Sequence, residues 1–266
     1  MPTERKSLTE TKEGTKNNRR RPPRFDLIAG NVCLDFVNTL DDRHSDDRHS
    51  NDRHVDDRHV NDRHVDDRRI ADSHSDDGRT QPKELLQTYA DLARFGEDTG
   101  LLDSSQVDRL VERASMEPQR AQEVLEWGRE LREAIHDIFW AIMNKRPVPP
   151  AALARLNVNA QGAARHMSLV VVERGPIARG SGRGGFEWKY DDLRAFDSVL
   201  WPIARAAVDL LASAQLPYVR ACFSKSCQWF FLDTSKNHHR RWCDMTRCGN
   251  RAKFQRFYAR KKKGSS

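Results

Sequence analysis

Residues 222–263 read CFSKSCQWFFLDTSKNHHRRWCDMTRCGNRAKFQRFYARKKK. Four of the five cysteines fall here, as Cys222-x4-Cys227 and Cys243-x4-Cys248, with fifteen residues between the pairs. Each short-spaced pair can occupy one edge of a tetrahedron, and the connecting loop lets the two edges meet. Four thiolates suit Zn2+ and leave no coordination position for water. The spacing therefore predicts one structural zinc per chain, held by Cys222, Cys227, Cys243 and Cys248, that supplies folding energy to a segment too small for a core of its own. A site of three cysteines and one histidine, using His238 or His239, is the minor variant, and two incidental pairs or disulfides are the bland one. An odd cysteine count, without an apolar stretch after the basic N-terminal residues, points to a reducing, cytoplasmic setting rather than to a disulfide framework.

Four thiolates around Zn2+ leave a net negative charge, which Arg240, Arg241 and Arg247 are placed in sequence to offset. Trp229, Phe231 and Trp242 are the expected apolar core of the knuckle. Past Cys248, residues 250–263 read as a helix with two faces. Phe254, Phe257 and Tyr258 share one, which is expected to pack on the knuckle. Lys253, Arg256, Arg260 and Lys263 follow i, i+3, i+7, i+10 on another, which is expected to meet phosphates. Arg251 and Asn250 are chemically suited to base edges, arginine to guanine and asparagine to adenine. They are equally suited to bracing the loop.

Charge outside this segment sharpens the contrast. The whole chain of 266 residues carries +7. Residues 218–263 carry +11, residues 1–24 carry +5, and residues 41–80 carry −5. A basic block of this kind points to a polyanion, nucleic acid before membrane surface. No stretch approaches the ~20 apolar residues that a membrane span needs.

From Asp41 the chain repeats a five-residue unit eight times, DDRHS DDRHS NDRHV DDRHV NDRHV DDRRI ADSHS DDGRT. Five matches neither the helical nor the strand period, so Val55, Val60 and Val65 form no stripe. The composition predicts a disordered insertion, with its histidines only a remote metal or pH sensor. Residues 1–24 read as a disordered basic tail. Without tail and repeat, the remaining 202 residues are roughly 45% apolar, as a folded domain is.

The middle of the chain is mostly helical. Asn31 can cap a helix bearing Cys33, Phe36, Val37 and Leu40, with Asp35 and Asn38 on its polar side. Pro82 opens a second helix through Leu85, Leu86, Tyr89, Leu92 and Ala93. Asp103 or Ser104 caps a third. A long helix follows Pro118 and stops before Pro147, and another runs from Pro149 or Pro150 to about Arg165. MSLVVVERG and FEWKY read as a strand pair, and a last helix covers about 192–214. His136 and His166 are isolated, which is more often the mark of a satisfied core group than of a catalyst. The fold class is α+β: a predominantly helical domain over 25–216 with a small β-hairpin, followed at 217–263 by a treble of short elements around the zinc.

At these residues the chain resembles a known family. The run Trp229, Asp233, Ser235, Asn237, Arg240, Arg241, Trp242, Cys243, Met245, Cys248-Gly249-Asn250-Arg251 and Lys253 is similar to the CGNR zinc finger. Upstream, GNVCLDFVNTL resembles the start of the ABATE domain that commonly precedes that finger. The resemblance implies a stress-induced transcription regulator whose finger binds DNA and whose helical domain senses a signal. On this reading Arg251, Lys253, Arg256, Arg260, Asn250, Arg240 and Arg241 contact nucleic acid, no residue is catalytic, and zinc is the sole cofactor. Its partners are double-stranded DNA, a small-molecule ligand of the helical domain and a second copy in a homodimer, with no membrane. Rival readings are an RNA or single-strand binder, a protein-interaction module, and a metal-dependent nuclease using His238 or His239.

Overall fold

The computed structural model describes residues 24–41, 83–172, 185–191, 193–224 and 227–263. Residues 1–23 of the basic tail and all of the pentapeptide repeat after Asp41 lie outside the described residues; Arg24, the last residue of the tail, pairs with Asp91. Seven α-helices and three two-stranded antiparallel sheets follow in order among the described residues. They are α1 (Val32–Val37), β1 (Leu40–Asp41), β2 (Lys83–Glu84), α2 (Tyr89–Asp98), α3 (Ser104–Met116), α4 (Pro118–Met143) and α5 (Pro150–Arg165). Then come β3 (Met167–Val172), β4 (Gly185–Tyr190), α6 (Leu200–Leu211), β5 (Val219–Ala221), β6 (Phe230–Leu232) and α7 (Asn250–Lys263).

Most helix boundaries are set by local chemistry. The Asn31 side chain accepts from the Cys33 amide at 3.0 Å and starts α1. Asp103 and Gln106 form a capping box at α3, and Pro118 and Pro150 open α4 and α5. Two expected helices start elsewhere. The second begins at Tyr89 rather than Pro82, because Thr88 and Asp91 form a capping box there; Lys83–Glu84 is instead a strand. The last begins at Leu200 rather than near 192. Pro202 then falls in its first turn, where a missing N–H costs nothing. A helix starting near 192 would place that proline in the interior.

Strand β1 pairs with β2, with Asp41 opposite Lys83. The chain on either side of the repeat is thus joined by two residue pairs, Leu40 with Glu84 and Asp41 with Lys83. Arg132 on α4 fixes the junction: its guanidinium donates to both carboxylate oxygens of Glu84, at 2.7 and 2.6 Å, and to Thr39 Oγ1 at 3.2 Å. Bidentate geometry makes this pair, a buried arginine with a half-buried glutamate, a strong positional restraint.

One apolar core runs from Phe25 to Cys248 without a break. Helix α1 sits within it, touching α4, α6 and β6. Phe36 and Phe25 both meet Phe95 of α2, at 5.5 and 5.4 Å between ring centres. Phe230 and Phe231 of β6 are as deeply buried as Phe139 of α4. The cysteine segment therefore shares its core with the helical domain.

Candidate metal centre and nucleic-acid interface

The antiparallel β5–β6 pair sets up the first two cysteines. Cys222 follows β5 and its amide donates to Trp229 O at 2.8 Å, while the Cys227 amide donates to Ser224 O at 3.1 Å. The second pair is brought alongside by the Phe223 amide, which donates to Arg241 O at 2.9 Å. A π-helical turn, Met245–Gly249, capped by Asp244, then delivers Cys248.

All four sulfurs lie within 4.8 Å of one another and all four residues are buried. Cys227 and Cys243 Sγ are 3.5 Å apart, and Cys243 and Cys248 Sγ are 3.7 Å apart. These separations far exceed a disulfide bond of about 2.05 Å. They match the edge of roughly 3.8 Å that Zn–S bonds of about 2.3 Å impose on a tetrahedron. The donor set and its geometry fit one structural zinc ion with no position left for water. Thiol hydrogen bonds from Cys227 and Cys243 hold the Cys222 sulfur well below the usual thiol range. Cys227 and Cys243, which donate to that sulfur, and Cys248, through burial, are pushed up, so zinc binding displaces their protons. Among the described residues, His238 and His239 do not join this cluster. His238 stacks on Tyr218 at 3.7 Å, and its Nδ1 lies 2.8 Å from Asp233 O, so the variant with one histidine ligand is not what the chain builds.

Positive charge surrounds the sulfurs, and part of it is structural. Arg240 donates to the carbonyls of Trp242 and Cys243 and lies 4.5 Å from the Phe231 ring. Arg241 stacks over Phe223 at 4.2 Å, and Arg247 pairs with Asp26. Asp233 organises the loop between the cysteine pairs. Burial alone would raise its carboxyl, but hydrogen bonds from Ser235 and from the Arg240 amide outweigh it and hold the group below its ordinary value.

Asp35 and Asn38 do not lie on a solvated face. Both are buried, because β6 and residues 28–30 cover the side of α1 expected to be wet. Asn38 exchanges two hydrogen bonds of 2.9 Å with the backbone of Phe230. The Leu232 amide donates to Ala29 O at 2.7 Å, and the Trp229 indole donates to Asp41 at 2.8 Å. His136 of α4 stacks on Phe230 at 5.1 Å and is a core group, as expected. The helical body thus grips the metal centre through α1 and its flanks, a set of contacts that no motif in the sequence announced.

Asp35 accepts from the Ala29 amide, and burial pushes its carboxyl up to about 6. The folded state therefore binds this proton more tightly than the unfolded chain does. Its stabilising contribution is full below the ordinary carboxyl value and is lost as pH rises through 6. Compared with Asp35→Asn, wild type should gain about 1.5 kcal/mol between pH 8 and pH 5. Denaturant unfolding of the two zinc-loaded proteins across that range would read it. A constant difference would rule it out.

The comparisons agree with this anatomy. Residues 218–261 match the CGNR zinc finger. Residues 69–214, more than half of the chain, match ABATE, described as "Putative stress-induced transcription regulator". The chain belongs to the ABATE family. That match starts after LDFVNTL, so α1, which carries the upstream resemblance, lies ahead of the matched part of this ABATE protein. No curated protein matches the chain. Among the described residues, no helix is long and apolar enough to cross a membrane.

In this ABATE protein α7 follows the last cysteine directly. Asn250, Arg251 and Lys253 are exposed, and the side chains of Arg256 and Arg260 lie outside the described residues. Its aromatic side departs from expectation. Phe254, Phe257 and Tyr258 are each more than 60% exposed and do not pack on the knuckle. The helix touches the π-helical turn at its root and projects from it. Trp229, by contrast, is buried, as the knuckle core requires.

Proposed function

We propose that this protein is a DNA-binding transcription regulator in which the zinc-built knuckle presents α7 to the duplex. The observation that carries this reading is a helix rich in basic residues, projecting from a base fixed by four buried cysteines. Lys253, Arg256 and Arg260 meet phosphates, while Arg251 and Asn250 read base edges near the root of the helix. Arg241 lies on the same module. Arg240 is spent on the knuckle's own carbonyls and helps chiefly by holding the loop in shape. The helical domain receives the signal, from a small molecule or another stress cue, and passes it on through α1. Both matched families are of the regulator and zinc-finger kind rather than enzymes.

Fluorescence anisotropy with zinc-loaded protein and random-sequence duplex tests this. If about five phosphates are neutralised, affinity should fall roughly 500-fold between 50 and 200 mM salt. Lys253→Ala should weaken all duplexes alike, whereas Arg251→Ala should change preference among them. Absence of duplex binding at 50 mM salt would sink the proposal. A second reading, single-strand or RNA binding, is favoured by one feature, the exposed rings of Phe254, Phe257 and Tyr258. Preference for a single-stranded probe in the same assay would select it.

A further inference from the structure

The β3–β4 hairpin carries an apolar face that the other described residues leave uncovered. Alternation puts Met167, Leu169 and Val171 on one side of β3, and the register sets them against Tyr190, Trp188 and Phe186 of β4. At its root the face rests on α6. The Tyr190 ring lies 5.8 Å from that of Trp201, and Arg205 Nη1 donates to Met167 Sδ at 3.5 Å. Away from the root the rows turn outward: Leu169 and Trp188 are 54% and 55% exposed, Val171 and Phe186 67% and 71%. The opposite side carries Ser168, Glu187 and Lys189, all exposed, with a half-buried Val170 beside Glu187. The pattern is that of a sheet with one wet and one dry side, and here it is the dry side that faces solvent.

Among the described residues β3 and β4 pair only with each other, and a lone two-stranded hairpin is marginal in water. Leu169, Val171, Phe186 and Trp188 together offer roughly 500 Å2, at the scale where a surface patch on a monomer marks an interaction site. Two such faces bury about 1,000 Å2, the threshold for a specific protein interface.

We propose that this face docks a second copy of the same chain, hairpin against hairpin across a two-fold axis. Its composition suits that occupant. One row is aliphatic and the other aromatic, so a two-fold can lay the aliphatic row of each copy on the aromatic row of the other. The six residues of this face carry no charge, and on the reverse side Lys189 pairs with Glu187 at 4.0 Å. Among the described residues of the hairpin, none on this face favours a phosphate backbone or an anionic lipid over an apolar protein surface. The inference is independent of nucleic-acid binding.

Sedimentation equilibrium of the full zinc-loaded chain, without nucleic acid, reads the outcome directly. Wild type should show twice the 30.7 kDa chain mass at micromolar concentrations. The pair Phe186→Ser and Trp188→Ser should raise the dimer dissociation constant at least about 100-fold. Far-ultraviolet circular dichroism and zinc content of that variant should be unchanged, since both side chains are mostly exposed. If it fails to fold, Val171→Lys and the concentration dependence of amide exchange in β3 and β4 of wild type serve instead. A wild type that remains monomeric would overturn the proposal, even if it captured another protein or a vesicle. So would a variant that dimerises as well as wild type, or exchange in the hairpin that ignores concentration.

Discussion

Cys243→Ser will cost the protein its zinc and loosen more than the knuckle. Structural zinc contributes on the order of 10 kcal/mol or more to small modules of this kind, and loss of one thiolate ligand forfeits most of it. Cys243 is the natural target, because its sulfur lies within 3.7 Å of both Cys227 and Cys248. With the ion gone, the segment from Val219 to Gly249 keeps, among its described residues, only two three-residue strands and one π-helical turn as regular structure. That is too little to order it. The damage then spreads, because β6 is the surface on which α1 packs. Amide exchange should rise strongly at Phe230–Leu232 and also at Val32–Val37, while α4, α5 and α6 stay protected. The expected loss is several kcal/mol in overall stability, with zinc content falling from one per chain toward zero. Full zinc retention, or exchange confined to residues after 218, would contradict the shared core.

The sequence showed some of this and hid the rest for physical reasons. Cys222, Cys227, Cys243 and Cys248 were legible because a tetrahedral ion dictates ligand type and local spacing. Caps at Asn31 and Asp103 and the prolines at 118 and 150 were legible because they act on their own turn. The β1–β2 pairing was not, since a strand of two residues has no period and its partner lies beyond the repeat. Asp35 and Asn38 misled because a helical wheel assigns polar residues to solvent. Helix α1 is six residues long and enclosed, so it has no solvent side. Phe254, Phe257 and Tyr258 misled in the opposite way. Apolar periodicity reports a surface that prefers burial, without saying whether this chain supplies the cover. The same holds for Phe186 and Trp188.

Asn38→Ala should destabilise the zinc-loaded protein by about 2–4 kcal/mol, a large effect for a side chain that touches neither metal nor nucleic acid. Strand β6 pairs with β5 along one edge and turns its other edge toward α1. On that edge the Leu232 amide donates to Ala29 O, and two residues earlier Phe230 would present an amide and a carbonyl to the protein interior. The Asn38 carboxamide meets both at 2.9 Å, donating through Nδ2 and accepting through Oδ1, as the peptide unit of a neighbouring strand would. Truncation leaves one buried donor and one buried acceptor unpaired, each costing about 1–3 kcal/mol. Asn38→Asp separates the two halves of the clamp: it keeps the acceptor, loses the donor and sets a buried charge against the Phe230 carbonyl. Its penalty should exceed that of alanine at pH 8 and shrink at pH 5, where the carboxyl can hold a proton and donate. Chemical denaturation of both variants at the two pH values decides the matter. An alanine penalty below about 1 kcal/mol would mean that water satisfies Phe230 and that α1 and the finger are joined by apolar packing alone.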